Sequence, residues 1–263
     1  VAIFGVATIF LLYKFLKEAV GFWPAIIAST LYSCAPLVVR YSRSSWNPNP
    51  LPFFSLLLIY FIYLGISRKK ETYFLVAGAA LGVAVQLHYL ALILVPISAI
   101  ILIFSGEYKK IPKIALFLLI GFLTTFSPFL FFEVKHNFPN FRTILEFVSR
   151  GSTVGIKTSN IIWSTPNLGN IFLEYISSYT GTIFTKIAFW TLSVGAIVGL
   201  IINRKNKEKF YAFLVAIIWL LGGLVFLKSY KGQLYDYYFE VIFPAPFLLA
   251  GLVLSIGWKN YIF

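Results

Sequence analysis

The sequence predicts an all-α protein, a polytopic bundle of transmembrane helices with about nine crossings and one large segment outside the bilayer. Three observations lead there. Hydrophobic residues fill 59% of the 263 positions and charged residues 12%, against roughly 45–50% and 25% in a soluble domain. Apolar runs recur along the whole chain at close to the ~20 residues needed to cross a hydrocarbon layer of about 30 Å. Lys and Arg collect in short loops that fall on one side of the bundle, as cytoplasmic loops do. A secretory signal would be one short apolar stretch near a start Met. Here there is no Met, and the chain opens inside an apolar run, VAIFGVATIFLLY. The expectation is a chain cut at its front and, with Phe263 close behind an apolar run, at its back.

Crossings are expected at 1–16, 22–39, 51–66, 73–87, 89–104, 113–132, 186–202, 210–227 and 240–257. The fourth and fifth form one apolar run broken only by Gln86, His88 and Tyr89. A single helix would put the basic loops SRKK (67–70) and EYKK (107–110) on opposite sides. Both belong with the other Lys and Arg clusters, so the chain must turn back near His88. Two such helices reach only about 22–24 Å each at 1.5 Å per residue, which places the turn below the outer surface.

With that turn, one side carries Lys14 and Lys17, Arg68 to Lys70, Lys109, Lys110 and Lys113, Arg204, Lys205, Lys207 and Lys209, and Lys259. The other side holds Arg40, Arg43, Lys135, Arg142, Arg150, Lys157, Lys186, Lys228 and Lys231, spread over longer loops. The first side is read as cytoplasmic and the protein as a multi-pass protein of the plasma membrane. The net charge of +13 is then a topology signal, and no nucleic-acid partner is called for. Cys34, the sole cysteine, lies in an apolar run and reads as a small buried residue.

The organisation expected is six helices in 1–132, an extracytoplasmic segment over 133–185, and three helices in 186–263. Polar groups gather at the outer ends: Gln86, His88, Thr124, Thr125, Ser127, Glu133, Asp236 and Glu240. The cytoplasmic loops are too short to build a site, so the active side is expected outside. In the outer segment FRTILEFV places Phe141, Ile144, Leu145 and Val148 at helical spacing. NIFLEYISSY does the same with Ile171, Phe172, Tyr175, Ile176 and Tyr179. Such amphipathic helices lie along the membrane interface or cap the bundle. SRGSTVGIKTSN (149–160) reads as a mobile loop.

Four outer stretches combine a cation or His with aromatics: RYSRSSWNPNP (40–50), QLHY (86–89), FEVKHNFPN (132–140) and SYKGQLYDYYFEVIFP (229–244). Their candidates for substrate binding are Arg40, Arg43, His88, Tyr89, Glu133, His136, Lys231, Asp236 and Tyr237. Arg offers a planar fork for phosphate and Lys a point charge, while Tyr and Trp faces stack on sugar. The same residue types also make the interfacial belt of ordinary membrane proteins, so the case rests on four stretches agreeing. His88 and His136 show no ligand spacing with Glu133, Asp236 or Glu240. No cofactor is assigned, and a divalent metal is left open.

The order of RYSRSSWNPNPLPFF, QLHYLALILVP, SPFLFFEVKHNFPNFRTILEF and YDYYFEVIFPAPFLL resembles prokaryotic glycosyltransferase family 39, relatives of the protein O-mannosyltransferases. The resemblance implies the GT-C architecture, a polyprenyl-phosphate sugar donor, and a lipid, glycan or protein acceptor. It places the loop from Arg40 beside an extracytoplasmic cavity, with Arg40 and Arg43 facing the donor phosphate. It also implies that the catalytic acidic pair precedes Val1, so the catalytic residues are unknown here and the chain alone is expected to be inactive. The competing readings are a polymerase or ligase of lipid-linked O-antigen and, in a different class, a lipid or solute transporter. Transporters keep their ionisable groups near the midplane, whereas here they gather at one rim.

Overall fold

The computed structural model describes residues 1–149, 161–178 and 183–258. Helix α1 (Ala2–Val20) ends at Gly21, whose φ of 99° suits glycine alone, and the chain turns straight into α2 (Phe22–Cys34). The second expected crossing is not straight. Pro36 has no N–H to continue the ladder, and Ala35 before it is extended, so α2 and α3 (Pro36–Ser42) meet at 66°.

Helix α4 (Leu51–Ser67) starts with Pro52 in its first turn, where a missing N–H costs nothing. Helix α5 (Thr72–Leu87) stops at His88, and a 3-10 turn (Tyr89–Ile93) leads into α6 (Leu94–Phe104). The reversal argued from charge is present. Lys113 Nζ lies 3.5 Å from Glu71 Oε1 and Arg68 Nη2 lies 3.1 Å from Glu18 Oε2, which gathers the loops after α1, α4 and α6 at one end.

Helix α7 (Ile111–Lys135) packs along α5 through a seam of small residues. A Cβ on Gly78 would collide with the Leu118 carbonyl oxygen, and one on Gly121 with that of Leu75. Such glycines let two backbones touch where lipid supplies no hydrophobic drive for helix association. Across the seam Thr125 Oγ1 donates to the Ala79 carbonyl at 2.9 Å, and Gln86 Nε2 donates to that of Thr125 at 2.9 Å.

The remaining helices are α8 (Pro139–Ser149), α9 (Ile161–Ser177), α10 (Ile183–Ile202), α11 (Lys207–Ser229) and α12 (Ala245–Gly257). A 3-10 segment (Asp236–Ile242) precedes α12 and meets it at 48°. Helix α11 is the central post: Phe213, Ala216, Trp219, Leu224 and Leu227 are all fully buried. Trp219 Nε1 donates to the Val241 carbonyl at 3.1 Å, tying α11 to the 3-10 segment.

Helices α8 and α9 differ. Helix α9 caps the bundle, with Leu168, Phe172 and Ile176 buried and the Phe172 ring stacked on Phe239 at 4.9 Å. It begins at Ile161, well before the stretch expected from NIFLEYISSY. Helix α8 leaves Phe141 and Leu145 more than half exposed. The loop expected over 149–160 lies outside the described residues beyond Ser149, as does Tyr179.

Among the described residues, α7, α10 and α11 are each long and apolar enough to cross a bilayer. The pairs α2 with α3 and 236–242 with α12 qualify as bent spans, and α4, α5 and 89–104 are shorter apolar helices.

Candidate functional site

At the end opposite the Glu18, Glu71 and Lys113 contacts, the loop after α3 is held by its own residues. Asn49, 6% exposed, donates through Nδ2 to the carbonyls of Tyr41 at 2.8 Å and Ser44 at 2.7 Å. Pro48, Pro50 and Pro52 limit the backbone on either side of it. Trp46 in this loop, and Arg40 and Tyr41 in the last turn of α3, therefore follow a fixed path instead of a floppy one.

Asp236 comes to meet them. Its Oδ1 accepts from the Tyr41 hydroxyl at 2.7 Å and from the Tyr237 N–H at 3.0 Å, and its Oδ2 lies 3.7 Å from Arg40 Nη1. The Arg40 side chain is 73% exposed, against 27% for Asp236. An ion pair so long and so wet contributes at most about 1 kcal/mol. Asp236 is thus anchored by hydrogen bonds, and the Arg40 guanidinium keeps most of its donors for another anion.

Aromatic rings close the cluster. Trp46 meets Tyr237 edge-on at 4.7 Å, and the Tyr237 and Tyr238 rings lie 4.5 Å apart. The His88 ring lies 6.1 Å from Tyr237 and 6.0 Å from Tyr238. His88 Nδ1 accepts the Leu90 N–H at 3.0 Å, so the neutral ring carries its proton on Nε2. Burial pushes the imidazole below its usual pKa. Three stretches far apart in sequence thereby place Arg40, His88, Asp236 and Tyr237 together.

The other candidates are arranged differently. Tyr89 points its hydroxyl to Asn140 Oδ1 at 2.9 Å, and Asn140 Nδ2 donates to Glu133 Oε1 at 2.6 Å. His136 is exposed and stacks on Phe132 at 4.2 Å, with Nδ1 at 2.8 Å from the Phe132 carbonyl oxygen. Arg43 caps the end of α3 and is exposed, and Lys231 is half-buried in the segment leading to Asp236.

Four residues of this end escaped sequence reasoning. Tyr41 and Asn49 sat inside a stretch singled out for its cations, and Asn140 closed the stretch FEVKHNFPN without being singled out. Glu240 was placed at a crossing's outer end, yet it is fully buried, and neither carboxylate oxygen has a hydrogen-bond partner among the described residues. An unpartnered buried acid is costly, and nothing in the spacing of the sequence announces it. Among the described residues no three His, Cys, Asp or Glu side chains gather as metal ligands.

Residues 1–132 match the sequence profile of the family described as dolichyl-phosphate-mannose-protein mannosyltransferase. The chain superposes on two crystal structures of ArnT from Cupriavidus metallidurans, one in the apo state and one bound to undecaprenyl phosphate. Each has a TM-score of 0.65, at 16% and 14% identity respectively, and each match covers 96% of this chain. At that identity the likeness is one of fold, and it agrees with the GT-C-like helical membrane architecture expected above. The chain spans 44% of the length of ArnT. No curated protein sequence matches it.

Proposed function

The chain belongs to the dolichyl-phosphate-mannose-protein mannosyltransferase family, and from that premise we propose that it is part of a membrane glycosyltransferase. It moves a sugar, hexose or pentose, from a polyprenyl-phosphate donor to an acceptor hydroxyl on the extracytoplasmic face. The observation that carries this reading is the convergence of a mostly free guanidinium with an anchored carboxylate and a wall of aromatic rings, at one end of an apolar helical bundle.

In this reading the donor phosphate sits against Arg40 in the last turn of α3, with Arg43 capping that helix and Lys231 approaching from the segment before Asp236. Tyr237 and Trp46 offer ring faces to the sugar, and Tyr89 and His136 line the outer rim. His88, neutral, donates from Nε2. The acceptor hydroxyl attacks the anomeric carbon, the carbon–oxygen bond to the lipid phosphate breaks, and the hydroxyl proton passes to a carboxylate base. Fixed cations opposite the leaving phosphate stabilise the charge it gains, at about 2.7–4 kcal/mol for one well-placed donor by analogy with oxyanion holes. The similar ArnT structure bound to undecaprenyl phosphate supports a lipid phosphate as ligand. The acceptor is a lipid, a glycan or a protein.

The test is Arg40→Ala and Arg43→Ala in the full-length protein, with undecaprenyl phosphate binding measured by titration calorimetry in detergent. Loss of one charge-assisted contact worth about 1.5–3 kcal/mol weakens binding roughly tenfold to a hundredfold. Unchanged affinity in both variants removes the phosphate-binding role.

A further inference from the structure

Glu133 ends the last turns of α7 and is 3% exposed. Its Oε1 takes the Asn140 side-chain amide at 2.6 Å and its Oε2 takes the Phe141 N–H at 3.1 Å, while the Asn140 N–H lies 3.4 Å from Oε1. The chain between reverses through Asn137 and Phe138, both at φ 60°, and the Phe138 N–H returns to the Glu133 carbonyl at 2.7 Å. Two consecutive non-glycine residues in the left-handed region persist only where surrounding contacts over-determine them. Here the carboxylate does so, because it accepts on both oxygens and can satisfy several N–H groups at once.

Asn140 then passes the connection on, since its Oδ1 accepts the Tyr89 hydroxyl. Tyr89 follows His88 directly, in the 3-10 turn that sets the His88 ring against Tyr237 and Tyr238. Beneath this bridge lies a cavity of about 400 Å³ walled by Val85, Tyr89, Phe122, Phe126, Phe138 and Phe141. Apolar contacts there hold α8 down without fixing its orientation, so direction has to come from the polar bonds.

We propose that Glu133, Asn140 and Tyr89 form a latch that joins the outer helix α8 to the His88 turn, with Glu133 acting as a positioning residue. Glu133 acts on substrate through Asn140 and Tyr89, and its own oxygens are filled from within the chain. The inference deepens the transferase reading, and its effect on turnover rests on that reading. The coupling between α8 and the turn does not.

The experiment uses full-length protein in nanodiscs and three variants. Glu133→Gln keeps the size and sets an amide NH₂ against N–H donors. Tyr89→Phe removes only the last link. The double variant Glu133→Gln with Asn140→Asp exchanges donor and acceptor across the bridge. Hydrogen–deuterium exchange is followed in peptides covering 86–93 and 139–146, and donor KM and kcat are measured on the same samples. Glu133→Gln speeds exchange at least tenfold in both peptides and raises KM severalfold with kcat within twofold. Tyr89→Phe speeds exchange at 86–93, and the double variant restores both readouts.

A mere local cap would loosen 139–146 alone, and that result overturns the latch, as does loss of kcat at constant KM. If the parent protein transfers no sugar, the transferase reading falls, while the exchange data still decide the latch.

Discussion

Replacing Asp236 by Asn in the full-length protein distinguishes a carboxylate that takes part in chemistry from one that tunes the cation beside it. The substitution keeps an oxygen to accept from the Tyr41 hydroxyl and the Tyr237 N–H, so the end of α3 stays docked. What disappears is one negative charge 3.7 Å from the Arg40 guanidinium. In water, two unit charges at that distance interact by about 1.1 kcal/mol. With the Arg40 side chain 73% exposed, the upper end of the surface-pair range, about 1 kcal/mol, is the most the pair contributes.

Releasing Arg40 from that attraction, and the phosphate from the repulsion, tightens lipid-phosphate binding by no more than about fivefold. Asp236→Asn is therefore expected to bind undecaprenyl phosphate between equally well and about fivefold tighter, with turnover within about threefold of the parent. Titration calorimetry gives the first number and a radiolabelled-sugar transfer assay the second. A fall in affinity, or a collapse of turnover at constant affinity, would refute the assignment of Asp236 as a tuning group and make it part of the reacting machinery.

Two further outcomes follow from the packing and from His88. Gly78→Val and Gly121→Val each drive side-chain atoms into a backbone carbonyl of the facing helix, which cannot yield as a side chain would. Each should lower thermal stability in detergent by the equivalent of about 1–3 kcal/mol or more, whereas Gly257→Ala, with open space around it, should not. For His88, burial lowers the folded-state pKa, so protonation favours the unfolded chain. Its contribution to stability is complete above the unfolded value of about 6.5 and is lost as pH falls below that value through the folded one. Melting curves between pH 5 and 8 should show this slope in the parent and a flatter one in His88→Asn, whose side chain can still accept the Leu90 N–H.

Much of this end of the molecule could be read from the letters. The reversal near His88 followed from the demand that two basic loops share a side, and the ion pairs of Glu71 with Lys113 and Glu18 with Arg68 hold those loops at one end. The stretches around Arg40, His88 and Asp236 stood out because cations and rings at a membrane boundary are a local signal. The bend at Pro36 was locally signalled too, and a purely apolar reading of 22–39 passed over it.

Partnership was not readable. That Tyr41 holds Asp236, 195 positions on, and that Asn140 links Glu133 to Tyr89, 51 positions back, depends on how distant stretches pack, as does the lack of a donor to Glu240 among the described residues. The helices make the same point. Helices α7 and α11 are both strongly apolar, yet the most apolar stretch of α11 is 61% buried and that of α7 only 11%. Composition sets whether a helix enters the hydrocarbon layer, because lipid and protein interior are alike to an apolar side chain. Which helix becomes the central post is set by shape, by where glycines let backbones meet and where Trp219 finds a carbonyl, and those contacts exist only once the chain has folded.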